Sequence, residues 1–284
     1  MIGQPLRLSR FAVFVDYGDF IEVQHAVRRE RHCVDRATYE YLREFLGFSS
    51  APPGFAQWVE LGVLVEPFTD TLAGHGPASG SEAALAADYQ RWYWRHEIET
   101  ERDYCWLGEV VVKMPSDLFY LQELLMGAAG RRVLELGRGR GGGVWFLSSV
   151  LHLLGGGLVV SVDTDPQEPA IDGSCWSAVG QHMLIGDALS QETLTSVCEI
   201  TRTFDVIVID LGGDLRRNLA ALGAWVEFVS KGGTVVIEDL WGHDDEEALQ
   251  AIDEFLLEHR NFGLCEYAVR HPLLKGIGLR RSLK

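Results

Sequence analysis

From Gly108 onward, short apolar runs alternate with longer segments whose apolar residues recur at helical spacing. The runs are Val133–Leu136, Leu158–Val162, His182–Ile185, Asp205–Ile209 and Gly233–Ile237. Their length and flanking turn residues predict strands. The segments Val144–Leu153, Glu192–Thr201, Leu215–Phe228 and Asp245–His259 predict helices. A further strand is expected at Gly108–Lys113, closed by Met114-Pro115. A helix is expected from Asp117 to Met126, with Ser116 or Asp117 as its cap. Strand–helix alternation of this kind builds a mostly parallel sheet with helices on both faces. Cys265–Arg270 and Gly276–Arg281 are expected to pair as a hairpin on one edge.

The chain before this pattern reads differently. Phe11–Val15 and Phe20–Val23 look like strands around a Tyr17-Gly18-Asp19 turn. Asp35 is placed to cap a helix through Phe45, with Tyr39, Leu42, Phe45 and Leu46 on one side. Pro52-Pro53-Gly54 breaks the chain before a short helix, Phe55–Leu61, and a strand, Gly62–Val65. Residues 1–67 therefore read as a small α+β, winged-helix-like module. Residues 68–105 read as a Gly/Ser/Pro-rich linker followed by a helical lid segment over Ala86–Glu101, anchored by Tyr89, Trp92 and Tyr93. Residues 106–284 form the main domain, and there is no internal repeat.

Composition narrows the partners. The formal net charge is −16 over 284 residues. A basic face for nucleic acid, or for an anionic membrane surface, is not expected from such a chain. Five cysteines, odd in number and without a Cys-x-x-Cys pair, argue against a disulfide framework or structural zinc and for a reducing compartment. The start lacks the basic and apolar regions of a signal peptide. The longest apolar run, from Val144, is interrupted by His152 and ends at Gly155-Gly-Gly157, short of a membrane span. A cytoplasmic protein is expected.

The chemistry centres on Gly137-x-Gly139-x-x-Gly142, which follows one predicted strand and opens a predicted helix. Glycines permit a sharp turn and close approach to a ligand, and the helix start offers free N–H groups. The arrangement makes the fold Rossmann-like and doubly wound. Asp163 ends the next strand at the spacing of a ribose-binding acid. Both NAD and S-adenosylmethionine suit this unit. Further acids sit at strand ends: Asp187, Asp210 and the pair Glu238-Asp239. Ligands of open α/β sheets bind beyond those ends. Asp210, Glu238 and Asp239 would repel one another without a cation among them, and Mg²⁺ is a natural occupant. The competing reading is a set of helix caps with basic partners, for which Lys231 and Arg216 are the nearest candidates in sequence.

An ordered series of pieces resembles one family. They are Met114-Pro-Ser-Asp-Leu118 with Gln122-Glu123, then Glu135-x-Gly137-x-x-Arg140-Gly141-Gly142, Ser161-Val-Asp163, Gly186-Asp187, Ile209-Asp210, Ile237-Glu-Asp239 and Gly278-Leu-Arg-Arg281. Over about Trp106 to Arg281 the chain resembles the class I methyltransferases grouped as cephalosporin hydroxylase-like and sugar or macrolide O-methyltransferases. The resemblance implies S-adenosylmethionine held by the glycine turn (Glu135, Gly137, Gly139, Arg140, Gly141), Asp163 and Asp187. It implies a divalent cation, Mg²⁺, on Asp210, Glu238 and Asp239. The expected activity is O-methylation of a glycoside, macrolide or polyketide-like metabolite.

The chain departs from that pattern at one position. Many relatives carry a histidine three residues after the first metal aspartate, where this chain has Gly213. Asp214 and His243 are the candidate replacements as general base. An NAD-dependent oxidoreductase and a catalytically silent scaffold are the alternatives. The amino-terminal segment weakly resembles modules that bind leader peptides, which would add a peptide partner; a packing or homo-oligomer-forming role is preferred.

Overall fold

The computed structural model describes residues 7–8, 12–16, 20–25, 31–43, 57–58, 64–65, 88–93, 105–166, 173–238, 240, 245–265 and 276–283. Near the amino terminus β1 (Arg7–Leu8) pairs antiparallel with β5 (Leu64–Val65). The strands β2 (Ala12–Asp16), β3 (Ile21–His25) and β4 (Arg31–Val34) make an antiparallel sheet followed by helix α1 (Arg36–Arg43). Ile21, Val23, Val34, Leu42, Trp58 and Leu64 share a small buried core. The third strand was not expected, because basic residues around it hide its alternation. Asp35 caps α1 as expected, accepting the Thr38 amide at 2.7 Å. Of the expected lid helix, residues 88–93 are helical and the remainder lies outside the described residues.

The main sheet begins after a tight hairpin, β6 (Cys105–Trp106) and β7 (Glu109–Val110), turned by Leu107 and Gly108 at positive φ. Helix α2 (Pro115–Gly127) leads into β8 (Arg132–Leu136), α3 (Gly142–Leu153) and β9 (Gly157–Asp163). Then come β10 (Val179–Ile185), α4 (Gln191–Ile200), β11 (Phe204–Ile209), α5 (Leu215–Trp225) and β12 (Val229–Ile237). Helix α6 (Asp245–Glu258), β13 (Phe262–Leu264) and β14 (Ile277–Arg281) complete the chain. The strand order is β10-β9-β8-β11-β12-β14-β13. Five strands run parallel, and β14 lies antiparallel between β12 and β13. The carboxyl-terminal hairpin is therefore built into the sheet. Its first strand is Phe262–Leu264, and the stretch 266–275 lies outside the described residues.

Alternation within the strands assigns the two faces. Leu134, Leu136, Val160, Ile207, Ile209 and Val235 face α4, α5 and α6, whose Val197, Leu222, Trp225 and Ile252 are buried against them. Val133, Val159, Val206, Val208 and Val236 face α2 and α3, represented by Leu121, Leu125, Val144 and Leu147. Residues 133 and 135 share a face, so Glu135 points into this second layer among apolar side chains.

Three local expectations change. The α2 cap is Met114 with Pro115 at the first helical position, not Ser116 or Asp117. Proline suits that position because its missing N–H would be unbonded anyway. The segment expected as helix through Phe228 ends at Trp225 and closes in a 3-10 turn. Of Gly108–Lys113, only Glu109–Val110 is strand, because the following backbone packs onto the start of α3. A Cβ at Gly142 would strike the Val110 carbonyl. No described helix is long and apolar enough to cross a membrane.

Strand order reverses between β8 and β11, so their carboxyl ends open a crevice. Gly137 leaves β8 there at φ 95°, and a Cβ on it would collide with the Asp210 carbonyl. Gly139 has φ 52°, and no atom of the described residues lies within 4 Å of where its Cβ would be. Gly137→Ala is expected to lose at least about 3 kcal/mol, or to give no folded protein, through combined strain and collision. Gly139→Ala should cost only about 1–2 kcal/mol. Urea unfolding of both variants checks this; equal losses would refute the assignment.

Candidate cofactor cleft and carboxylate cluster

The glycine turn, the β9 end and the β11 end surround a cavity of about 1000 Å³. Gly137, Arg138, Gly139, Arg140, Asp163 and Asp210 contribute to its walls. The turn is held by backbone bonds: the Gly137 amide donates to Val162 O at 2.9 Å, and Gly141 caps α3 at φ 90°. The first turn of α3 thus opens onto the cavity through Gly142 and Gly143. Such helix starts favour negatively charged groups.

Asp163 has two tasks. Its Oδ2 accepts the amides of Arg138 (2.6 Å) and Gly139 (2.9 Å), and its Oδ1 accepts that of Asp165 (2.8 Å). Burial pushes its pKa up, but these amides outweigh burial and hold the carboxyl below its ordinary value. A carboxylate accepts about four hydrogen bonds, so roughly one lone-pair position remains toward the cavity. The Arg138 guanidinium is buried; its Nη2 donates to Asp165 O at 2.8 Å, while Nε and Nη1 have no partner among the described residues.

The expected cofactor residues do not all reach the cavity. Gly137, Gly139, Arg140 and Asp163 line it. Glu135 lies behind the turn, 1% exposed, accepting Ser161 Oγ at 3.0 Å. Asp187 is half-exposed and pairs with Arg217 Nη2 at 2.9 Å while accepting the Leu189 amide at 3.0 Å. Its neighbours Gly186 and Ala188 line the cavity, as does Arg217.

Beside the cleft, the ends of β11 and β12 bring Asp210 and Glu238 together. The parallel register Ile209↔Ile237 places the following residues side by side. Asn218 of α5 ties these ends: its Oδ1 accepts the Leu211 amide at 3.0 Å, and its Nδ2 reaches Glu238 O at 3.5 Å. Between the two carboxylates lies Lys113. Its Nζ donates to Asp210 Oδ2 at 3.1 Å and to Glu238 Oε2. Burial pushes the lysine pKa down, but Glu238, Asp210 and Glu135 reverse this and hold the ammonium well above its ordinary value. Burial raises Glu238, with Asp210 and Asp117 adding to the rise against Lys113. Burial also raises Glu135, to about 7, against the opposing pull of Lys113 and Ser161. The basic partner in this cluster is thus neither Lys231 nor Arg216, both of which are exposed.

Several carboxylates surround one ammonium here, and two buried oxygens, Glu238 Oε1 and Glu135 Oε1, have no hydrogen-bond partner among the described residues. Hard oxygen donors with surplus negative charge suit a divalent cation. Among the described residues no three His, Cys, Asp or Glu side chains converge closely enough to ligate an ion; Asp239 lies outside them. His243 also lies outside. Asp214 is exposed, lines the cavity and caps α5, its Oδ1 accepting the Arg217 amide at 3.2 Å. Lys113 and Asn218 were not singled out from sequence. The only local sign of Lys113 is a lone charge after the apolar run Val110-Val-Val112.

The raised pKa of Glu135 carries a pH dependence. Its folded-state value, about 7, lies above its ordinary 4.5. The fold therefore binds more protons than the unfolded chain in that window, and stability declines as pH rises through it. Glu135→Gln should remove this component. Melting temperatures taken in chelator at pH 5 and pH 8 are expected to shift toward the variant at the higher pH. Parallel profiles for the two proteins would contradict the assignment.

The sequence profile of the rhamnosyl O-methyltransferase/CmcI family matches residues 99–268, more than half of the chain. A comparison with curated protein sequences gave no significant match. Among solved structures, an apo structure of CmcI is 20% identical, with 64% of this chain and 78% of that one covered and a TM-score of 0.51. A Mg-SAM structure of CmcI is 21% identical, covering 63% and 77%, at a TM-score of 0.49. MycE methyltransferase from the mycinamycin biosynthetic pathway, in complex with Mg and SAH, is 15% identical, covering 99% and 84%, at 0.44. The apo CmcI likeness agrees with the Rossmann-like sheet described above. The chain belongs to the rhamnosyl O-methyltransferase/CmcI family.

Proposed function

We propose that the chain transfers the methyl group of S-adenosylmethionine to a hydroxyl of a small specialised metabolite, with a divalent cation at the Asp210–Glu238 edge. The observation that carries the reading is the juxtaposition at the switch point. One cavity holds the glycine turn, Asp163 and Asp210. Glu238 lies beside Asp210 through the shared Lys113 contact. Family membership supports O-methylation as the reaction class.

The chain's own residues divide the work. Gly137 and Gly139 let the backbone approach the cofactor, and the remaining lone pair of Asp163 takes a ribose hydroxyl. Beside the same cavity, Arg138 brings two guanidinium nitrogens, Nε and Nη1, that have no partner among the described residues, for the methionine carboxylate. Asp187, steadied by Arg217, flanks the adenine side. Asp210, Glu238 and Asp239 would hold Mg²⁺, which when bound lowers the pKa of an acceptor hydroxyl and orients it. A base at Asp214, or His243, takes the proton. Walls that hold donor and acceptor in line would lower the barrier mainly through positioning. A glycoside, macrolide or polyketide-like acceptor in natural product biosynthesis is the substrate class, and a cytoplasmic homo-oligomer is the proposed working form.

S-adenosylhomocysteine at 100 times its Kd should stabilise the fold by about 2.7 kcal/mol, a rise of roughly 5–10 °C in Tm for a chain of this size. Asp163→Ala should abolish that rise. Asp210→Ala should retain it while losing methyl transfer. Differential scanning fluorimetry with S-adenosylhomocysteine, NAD and Mg²⁺ tests the reading. A shift with NAD and none with S-adenosylhomocysteine would replace it with an oxidoreductase.

A further inference from the structure

We propose that Lys113 is the resident cation of the Asp210–Glu238 pair, and that a divalent ion enters only by displacing its ammonium toward Glu135. The inference rests on the metal reading above and concerns how that site is filled. Three observations carry it. First, Lys113 Nζ touches one oxygen of each carboxylate, so it occupies the gap that an ion bridging them would need. Small divalent ions bind carboxylate oxygens at about 2.1 Å. An ion and an ammonium cannot both sit between the same two oxygens at such distances without strong repulsion.

Second, an alternative acceptor lies within reach of the same side chain. Glu135 Oε1 is buried and has no hydrogen-bond partner among the described residues. A Cβ built on Gly143 would meet both this oxygen and Lys113 Cε, the latter at 3.3 Å. The end of the lysine stem and the Glu135 carboxylate therefore border one small space, which the absence of a side chain at Gly143 keeps open. Rotation about the last bonds of Lys113 suffices. Its backbone stays anchored by buried Val111 and Met114 on either side.

Third, the displaced arrangement pairs every charge locally, whereas the ammonium alone leaves the Asp210–Glu238 pair one negative charge in excess. With an ion present, Asp210 and Glu238 neutralise it, and Glu135 neutralises the displaced ammonium. With no ion, the ammonium is shared by Asp210 and Glu238, which otherwise would repel at close range in a buried setting. The lysine thus keeps the acidic edge assembled without metal, and it weakens metal binding by direct competition.

Calorimetric Mg²⁺ titration of the full chain and of Lys113→Met and Lys113→Gln tests this. Both variants should bind Mg²⁺ at least tenfold more tightly than the unaltered protein, and both should melt lower in chelator. Equal or weaker binding in the variants, or no binding in any form, would overturn the proposal. A crystal structure of the unaltered protein with Mg²⁺ bound should show Lys113 Nζ on Glu135; an ammonium still bridging Asp210 and Glu238 beside the ion would sink the idea even if the variants fail to fold. Binding of S-adenosylhomocysteine is measured in parallel. If it binds while Mg²⁺ affinity is unchanged by the substitutions, only the role of Lys113 falls. If it fails to bind at all, the methyltransferase reading falls instead.

Discussion

The near-contact of Gly137 with the Asp210 carbonyl is the constraint on which the site depends. Two strand ends must come this close for the crevice to have a floor, and only a residue without Cβ allows it. The close approach sets where β8 stops and the turn begins. It also fixes where Asp163, bonded to that turn, can lie. The same strand end delivers Asp210 to both the cofactor cavity and the carboxylate cluster. A single steric requirement therefore couples the two halves of the site.

Those halves are held by different forces. The cofactor half is a backbone construction, in which amides of the turn bond to Val162 O and to Asp163. The amides hold the Asp163 carboxyl below its ordinary value, so these bonds persist at neutral pH and keep the glycines where the helix start can act. The other half is held by side-chain charge inside a water-poor layer. Glu135 and Glu238 are buried between the sheet and the α2–α3 face, where an unpaired carboxylate is expensive. Lys113 offsets part of that cost and leaves the remainder as a standing attraction for a cation. In the proposed metal site, affinity for the ion would reside in the same groups that destabilise the fold if left unpaired.

The sheet was legible because buried parallel strands must be short apolar runs, and each run lies within a few residues of an observed strand. The glycine turn and the acids at strand ends were legible for a related reason: the fold puts function at carboxyl ends, so position along the chain implies position in space. Lys113 was not, since it meets Asp210 and Glu238 across 97 and 125 residues of sequence. No local pattern encodes a contact that distant. Asp163 was read as the acid at the end of its strand, but its bonds to the turn's own amides depend on a loop conformation that periodicity does not reveal. The third amino-terminal strand was missed for a simpler reason: Arg31 and His32 mask the alternation that buries Val34.

The loop after β11 shows why the missing histidine is more than a point substitution. Gly212 and Gly213 both have positive φ, at 73° and 74°, and among the described residues no neighbouring atom lies within 4 Å of either Cβ position. Space is therefore not what excludes a side chain at 213; backbone conformation is. A histidine there would carry about 1–2 kcal/mol of left-handed strain unless the loop rearranged. Rearrangement would in turn disturb the Asp214 cap of α5, and with it Asn218, which ties the Asp210 and Glu238 strand ends together. The chain has committed this loop to joining two strand ends and starting a helix. In the proposed reaction the proton passes to Asp214, which caps the helix through one carboxylate oxygen, or to His243, rather than to residue 213.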